Sequence, residues 1–320
     1  MNSASEAGSP ALFHLAWSLP KGGNTAQQND DAWRVESIPD DPGPRGLLVA
    51  LADGATEAVY SGQWARHLVQ SAQADWPLLG DAELNERLET LRASFSPMVA
   101  EEKPLPWYVR DKLRIQGSQA ALLLASILAA GEGTYFAIKA VSVGDCCLVL
   151  LRANGELRAF PIETVADFGV HPALVGTRSD MPLICTRWED QLNPGDVLLV
   201  CTDAVAKWAM QCWEAHQTDA LFGWLIRLLS PTDAVSIQTA PDAANYPADV
   251  EPASRIGLPN ADFSEFVQAN RAAKDALRMR NDDSTLVVCL PLRGHSLDAH
   301  VEALKVIKRQ HGSNPQKSHA

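Results

Sequence analysis

Two periodicities run through the chain. Short apolar or alternating runs predict strands over residues 12–17, 32–35, 45–52, 120–128, 135–143, 146–152, 156–160, 197–202 and 284–291. Apolar residues at helical spacing predict helices over residues 62–76, 81–100, 203–215, 220–229 and 263–279. Because strands and helices do not alternate strictly, the pattern favours an α+β fold with two helix-covered sheets over a doubly wound parallel sheet.

Turn residues and proline mark the boundaries of these elements. Asn154–Gly155 predicts a hairpin turn, and residues 193–196 (Asn-Pro-Gly-Asp) predict another. Residues 231–260 contain five prolines and little periodicity, so we expect a surface insertion there. We therefore expect a disordered tail at 1–10, one domain over 11–294, and a C-terminal helix and tail over 295–320.

Charge and hydropathy narrow the class of protein. The 320 residues include 39 acidic and 27 basic side chains, for a net charge of −12. Such a surface argues against nucleic-acid or anionic-membrane partners, which require basic patches. The longest strongly apolar run, residues 120–130, is too short to cross a bilayer, and the first ten residues lack signal-peptide features. We expect a cytoplasmic monomer.

The six cysteines do not form a recognisable framework. Several lie within apolar strand-like runs, where a thiol packs as a small hydrophobic group. Cys212 and His216 are one helical turn apart, but two such residues without a second pair are a weak zinc signal. A zinc site is not predicted.

Aspartates recur beside predicted strands, and this repetition is the most informative feature. They are Asp30, Asp31, Asp53, Asp203, Asp282 and Asp283, with Asp145 between two hairpin strands. Each alone is better explained as a turn, helix N-cap or loop residue. Together they suggest carboxylates gathered at one sheet edge, where divalent cations would offset their repulsion. Carboxylate oxygens, with the backbone carbonyl of Gly54 as a further donor, suit Mg²⁺ or Mn²⁺.

The order of these motifs resembles that of the 2C-type metal-dependent protein phosphatases. The blocks are QNDDAW, ALADGATEA, SVGDCCLVL, LLVCTDAVAKW and NDDSTLVVCL, in that order between about residues 12 and 291. The resemblance implies a four-layer α-β-β-α sandwich with two central antiparallel sheets flanked by helix pairs. It also implies hydrolysis of phosphoserine and phosphothreonine in proteins, using two Mn²⁺ or Mg²⁺ ions and a weakly bound third.

The resemblance also assigns roles to individual residues. Asp53 matches the ligand that bridges two metals, and the Gly54 carbonyl would bind one of them. Asp203 and Asp282 match further ligands of the other metal. Asp53, Asp203 and Asp282 would thus be catalytic through the water that the metals activate.

Other positions are more peripheral. Asp30 stands where the family usually has Glu and would reach its metal through water, and Asp145 matches a ligand of the third metal. Residues 162–187 would form either a flap over the substrate or a plain surface loop. His171 within them is a candidate general acid, although a lone histidine is more often structural.

The chain departs from the family pattern on the substrate side. Ala55 replaces a histidine that many relatives carry, Ala204 replaces a glycine, and Cys146–Cys147 replace Ser-Arg. No arginine stands four residues before Asp30. A phosphatase acting on a phosphoprotein, such as the target of a cognate serine/threonine kinase, is therefore one hypothesis. A catalytically silent phosphatase-like signalling domain is the alternative, and hydrolysis of a small phosphate ester is a third.

Overall fold

The computed structural model describes residues 11–38, 46–102, 106–131, 134–169, 172–178, 183, 185–230, 261–275, 277–292 and 297–312. The predicted tail at 1–10, the predicted insertion at 231–260 and His171 lie outside these residues. No helix in the described ranges is both long enough and apolar enough to cross a membrane.

The strands form two antiparallel sheets. The strands are β1 Ala11–Leu19, β2 Asp31–Ile38, β3 Gly46–Gly54, β4 Gln119–Ala130, β5 Tyr135–Val143, β6 Cys147–Leu151, β7 Leu157–Phe160, β8 Val175–Gly176, β9 Thr186–Leu192, β10 Val197–Cys201 and β11 Ser284–Leu292. One sheet has the order β1-β11-β10-β6-β7, and the other has the order β2-β3-β4-β5-β9 with β8 paired to β4. Neighbouring strands in the chain, such as β2, β3, β4 and β5, are therefore mostly neighbours in a sheet.

Helices cover the outer face of each sheet. They are α1 Ser61–Ser71, α2 Asp81–Glu102, α3 Trp107–Gln116, α4 Asp203–Glu214, α5 Thr218–Leu229, α6 Ala261–Ala272 and α7 Leu297–Gly312. One apolar core lies between the sheets, around Leu123 and Val200. A second joins α1 and α2 to the β2–β5 sheet around Trp64, and a third joins α4 to α7 to the other sheet around Phe222. The predicted four-layer α-β-β-α sandwich is confirmed.

Several predicted boundaries were wrong. Helix α1 ends at Ser71 rather than at residue 76, and a short 3₁₀ turn at Trp76–Leu78 follows, which buries Trp76. Helix α6 ends at Ala272 rather than at residue 279. Beyond it the chain folds back, so that the backbone N–H of Met279 donates to the carbonyl of Asn270 at 3.1 Å. The backbone N–H of Ala273 donates to the same carbonyl at 3.3 Å, so this return gives a helix-end carbonyl a second donor.

Two elements were missed because they bury little. Helix α3 has no buried residue, so its sequence carries no apolar stripe facing a core. Strand β9 is a polar edge strand, TRWEDQL, in which only Leu192 is fully buried. Residues 162–187 include β8 and the first residues of β9, so part of the predicted flap belongs to a sheet. Its role as a substrate cover stays a prediction.

A charge network lies at the start of β10. The Arg152 guanidinium donates to Asp196 Oδ2 at 2.8 Å and also pairs with Asp190, which pairs in turn with Arg158. The second oxygen of Asp196 accepts a hydrogen bond from the backbone N–H of Ala153 at 2.9 Å. The two carboxylates are almost fully buried, with side chains 3% and 7% exposed, and each has a guanidinium partner. We call these four side chains the balanced network.

Candidate functional site

Five aspartates meet at one edge of the sandwich. Asp31 begins β2 and lies directly opposite Asp53, near the end of β3. Asp203 follows β10 as the first residue of α4, Asp282 precedes β11, and Asp145 lies between β5 and β6. Asp53 interacts electrostatically with the other four carboxylates. We call these five residues the aspartate cluster; it contains four of the five aspartates that the sequence predicted, plus Asp31.

Asp31 is held by hydroxyl groups from the opposite sheet. Its Oδ2 accepts hydrogen bonds from Thr285 Oγ1 at 2.7 Å and from Thr202 Oγ1 at 3.1 Å. The backbone N–H of Thr285 donates in turn to Thr202 Oγ1 at 3.0 Å, and Ser18 Oγ lies 2.7 Å from Thr285 Oγ1. The network ties β2 to β10 and β11, so the cluster spans both sheets.

Burial and mutual repulsion dominate the electrostatics. Burial raises the pKa of Asp53 well above its usual range, and the carboxylates of Asp31, Asp203, Asp145 and Asp282 raise it further. Burial likewise raises the pKa of Asp203 to about 6, with Asp145 and Asp282 adding to the rise and Arg280 opposing it. Concentrated negative charge of this kind favours either proton uptake or a bound cation.

Two buried oxygens of the cluster have no hydrogen-bond partner. Asp31 Oδ1 and Asp203 Oδ1 are shielded from solvent and accept no hydrogen bond within the described part of the chain. Leaving a buried acceptor unpaired costs about 1–3 kcal/mol. These atoms are therefore available as ligands, and their carboxylate chemistry suits hard divalent cations.

One arginine reaches the cluster from solvent. Arg280 Nη1 lies 3.2 Å from Asp203 Oδ2, and Arg280 Nε lies 3.2 Å from Asp282 Oδ2. Its side chain is 67% exposed, so solvent screens both ion pairs. Over the described residues, no group of three or more His, Cys, Asp or Glu side chains is gathered closely enough to hold a metal ion. The carboxylate oxygens are thus the type of ligand that a divalent cation prefers, while the Arg280 guanidinium contacts two of the carboxylates, Asp203 and Asp282.

Asp30 lies apart from the aspartate cluster. Its carboxylate accepts a hydrogen bond from the backbone N–H of Gly62 in the first turn of α1. A Cβ at Gly62 would come within 2.5 Å of Asp30 Oδ1, so this contact requires glycine. Since Tyr60 makes no side-chain cap, Asp30 serves as the cap of α1, where the helix dipole favours an anion. Its predicted role as a metal ligand stays a prediction.

Gly54 is needed for close packing. A Cβ there would lie 2.7 Å from the carbonyl carbon of Ser61 and 2.9 Å from the carbonyl oxygen of Asp30. The backbone N–H of Gly54 donates to that same Asp30 oxygen at 3.2 Å. The start of α1 thus packs directly on the end of β3, beside Asp53. The Gly54 carbonyl as a ligand remains a prediction.

The residues that replace the family's substrate-side positions are buried or small. Cys146 and Cys147 are fully buried, and burial raises the pKa of each thiol well above its usual range. Neither is a thiolate nucleophile near neutral pH. Ala204 is also buried, at the start of α4. Among the described residues, the chemistry of this edge therefore rests on carboxylates and on Arg280.

Sequence reasoning named Asp31 among the strand-edge aspartates but gave it no role, and it missed Arg280. The place of Asp31 in the site follows from strand pairing, which sets it opposite Asp53. Arg280 could not have been found, because an exposed arginine in a loop carries no periodic signal. Its role follows only from the fold, which brings it to Asp203, 77 residues earlier in the chain.

No protein-family model matches the sequence, and a search of curated proteins finds no significant relative. Solved structures do match. An arginine-to-alanine variant of a bacterial serine phosphatase has a TM-score of 0.50 at 10% identity, covering 88% of this chain and 100% of its own.

Two further solved structures are similar at lower TM-scores. The 2C-type phosphatase domain of SpoIIE from Bacillus subtilis, with a regulatory-domain fragment, gives 0.47 at 12% identity, covering 89% of this chain and 65% of its own. The catalytic domain of the serine/threonine phosphatase PstP, in complex with 2 manganese ions, gives 0.44 at 17% identity, covering 88% and 98%. The chain has the fold of the 2C-type phosphatases, which confirms the predicted resemblance at the level of the fold.

Proposed function

We propose that this protein hydrolyses phosphoserine and phosphothreonine esters in proteins, with Mn²⁺ or Mg²⁺ held at the aspartate cluster. The observation that carries the proposal is the set of buried and half-buried carboxylates, two with unpaired oxygens, at one edge of a phosphatase fold. Such an arrangement is costly without a cation, and oxygen donors favour hard divalent ions.

Within this proposal Asp53, Asp203 and Asp282 would hold the ions, with the Gly54 carbonyl as a further donor and Asp145 at a third, weaker position. When bound, two divalent ions would activate a water for in-line attack and neutralise the phosphoryl oxygens. Asp53 interacts electrostatically with the four other carboxylates of the cluster, which supports assigning it as the ligand that both ions would share.

The chain's own side chains set up this chemistry. Asp31, held by the Thr202 and Thr285 hydroxyls, fixes the start of β2 against Asp53, and its other oxygen is buried without a hydrogen-bond partner among the described residues. Asp31 and Asp203 are buried and the other three aspartates are half-buried, so charges interact there more strongly than at the open surface. With Ala55 in place of histidine, the leaving oxygen has no side-chain acid at that position and would take its proton from water.

A second candidate function is a catalytically silent phosphatase-like domain that binds a partner and signals by conformation. The observation in its favour is Arg280, whose guanidinium contacts two of the proposed ligands, while no three candidate ligands in the described ranges are gathered for one ion. Here the guanidinium would stand in for the metal.

Metal titration combined with two substrates separates these functions. We expect the purified full chain to bind Mn²⁺ by isothermal titration calorimetry and to hydrolyse both p-nitrophenyl phosphate and a phosphothreonine peptide. EDTA should abolish turnover and added Mn²⁺ should restore it. Asp53→Asn is the inactive control.

Turnover of the aryl phosphate without the peptide would indicate hydrolysis of a small phosphate ester. Mn²⁺ binding without turnover of either substrate would favour the second candidate function, the catalytically silent domain. Failure to bind Mn²⁺ at all would overturn the metal-dependent proposal.

A further inference from the structure

A cleft of about 480 Å³ lies beside the aspartate cluster. Residues 20–24, the C-terminal end of α6 and the segment before β11 form its walls. Its lining residues are Leu19, Pro20, Lys21, Gly22, Gly23, Asn24, Gln268, Arg271, Ala272, Arg278 and Asn281. Three of these are cationic and none is acidic, in a protein whose net charge is −12. We call it the basic cleft.

Arg271 forms the buried part of the basic cleft. Its guanidinium donates to the Pro20 carbonyl at 3.0 Å, to Ser284 Oγ at 3.0 Å and to the backbone carbonyl of Asp282. The residue is only 9% exposed, and its Nε has no hydrogen-bond partner among the described residues. The guanidinium donates its hydrogen bonds to neutral acceptors, and it also interacts electrostatically with Asp283, Asp282 and Asp31 behind the cleft wall, so it supplies a permanent positive charge that these carboxylates partly offset.

Lys21 and Arg278 supply charge closer to solvent. Lys21 is half-buried; its ammonium makes no hydrogen bond or close ion pair among the described residues, although it interacts electrostatically with the Asp30 carboxylate. Arg278 is exposed, and its Nε donates to the Arg271 carbonyl at 3.0 Å, which leaves the outer guanidinium nitrogens available. Both side chains can therefore turn toward an anion without breaking an ion pair.

The basic cleft and the aspartate cluster share a wall. The backbone N–H of Lys21 donates to Asp283 Oδ1 at 2.7 Å, and that of Gly22 donates to Asn281 Oδ1 at 2.8 Å. Asn281 lines the cleft, and the next residue, Asp282, belongs to the cluster. An extended peptide advances about 3.3–3.6 Å per residue, so a few residues suffice to bridge the two sites.

We propose that the basic cleft binds an anionic side chain, a phosphate or a carboxylate, located a few residues from the phosphorylated residue of the same polypeptide substrate. This inference rests on the proposed function and names a substrate class: phosphopeptides with a second acidic group. In an otherwise acidic protein, a local cationic cleft would attract such peptides and would offer neutral peptides no comparable attraction.

The test uses three fluorescent phosphothreonine peptides that differ only at the flanking positions, which are phosphoserine, glutamate or alanine. Two variants remove charge, Lys21→Gln and Lys21→Gln combined with Arg278→Gln. Arg271 is left intact because its hydrogen bonds hold the fold. Arg110→Gln, an exposed charge change on α3 outside the cleft, is the matched control.

We expect each cleft substitution to raise KM for the anionic peptides about tenfold, the effect of losing one hydrogen bond to a charged group. The kcat, the alanine peptide and p-nitrophenyl phosphate should be unaffected. A larger effect on the phosphoserine peptide than on the glutamate peptide would assign a phosphate ligand; equal effects would assign any anion. An unchanged KM for both anionic peptides would overturn the proposal while leaving the hydrolytic function intact.

Direct binding separates failure of the cleft from failure of catalysis. If no peptide is hydrolysed, fluorescence anisotropy with the same peptides still measures how tightly the basic cleft binds each of them. Tighter binding of the anionic peptides, lost in the double variant and retained in Arg110→Gln, would support it. Equal binding of all three peptides, or equal binding by the wild type and the double variant, would overturn it.

Discussion

The buried carboxylates at the two ends of β10 have opposite surroundings. At its start, Asp196 receives a guanidinium and backbone N–H donors in the balanced network. Just past its end, Asp203 faces other carboxylates, keeps one oxygen unpaired, and is contacted only by the exposed Arg280 among cationic side chains of the described residues. The same five-residue strand thus separates a satisfied charge from an unsatisfied one.

This difference in pairing indicates different roles for the two ends of β10. A buried ion pair with complete hydrogen bonding fixes geometry. A group of repelling carboxylates destabilises the fold, and natural proteins accept such a cost mainly where binding or catalysis requires it. The contrast therefore supports a function at the aspartate cluster and a structural role for the balanced network.

The largest expected effect is on activity. Asp53→Asn should lower Mn²⁺-dependent turnover about 10³-fold or more, the scale of losing a main electrostatic stabiliser of a transition state. The same substitution should stabilise the metal-free protein by about 0.5–2 kcal/mol, because it removes one repelling charge. Asp145→Asn should reduce turnover less and weaken the dependence on metal concentration. Equal losses in the two variants would refute the assigned division of roles.

The second prediction concerns the balanced network. Arg152→Met should lower the free energy of unfolding by about 3–5 kcal/mol, because it leaves Asp196 buried without its cation. Urea denaturation measures this change. Arg114→Met, which removes an exposed pair with Asp111 at 3.7 Å, should change stability by less than about 1 kcal/mol. If the two arginine variants lose equal stability, the two ends of β10 do not differ as described.

The hydroxyl network under Asp31 gives a smaller effect. Thr285→Val removes the 2.7 Å hydrogen bond to a buried carboxylate and should cost about 1–3 kcal/mol in thermal or chemical unfolding. Thr285→Ser keeps the hydroxyl and serves as the control. A valine variant as stable as the serine variant would show that Asp31 does not depend on this donor.

The smallest expected effect concerns Arg280. Because its ion pairs are largely exposed, Arg280→Gln should tighten Mn²⁺ binding only about two- to fivefold by calorimetry. Arg280→Lys should fall between the wild type and the glutamine variant, and Arg110→Gln should not change binding. Weaker Mn²⁺ binding in Arg280→Gln would mean that the arginine supports the site instead of competing with the ion.

The sequence predicted the layers of this fold better than its site. Strands such as β5 and β11 were found because their apolar runs are long and bounded by turn residues, and helix α2 was found because its apolar residues recur at helical spacing. Helix α3 and strand β9 were missed because neither buries an apolar face. For the site, strand-end aspartates were recognisable, but Asp30 and Asp31 are adjacent and only strand register shows which one faces Asp53. Arg280 depends on tertiary contacts that no local pattern encodes.

The tight packing at Gly54 also bears on how the central sheet finds its alignment. Strand β3 is apolar on both faces over most of its length, so alternation alone would tolerate a slip of one residue. Its two terminal glycines oppose that slip. A side chain in place of Gly46 would bring a Cβ within 2.6 Å of the Ile127 carbonyl oxygen, and one in place of Gly54 would collide with the start of α1. A shift in either direction places Leu47 or Asp53 at such a point, so the close packing around the two glycines favours the register in which Asp53 lies opposite Asp31.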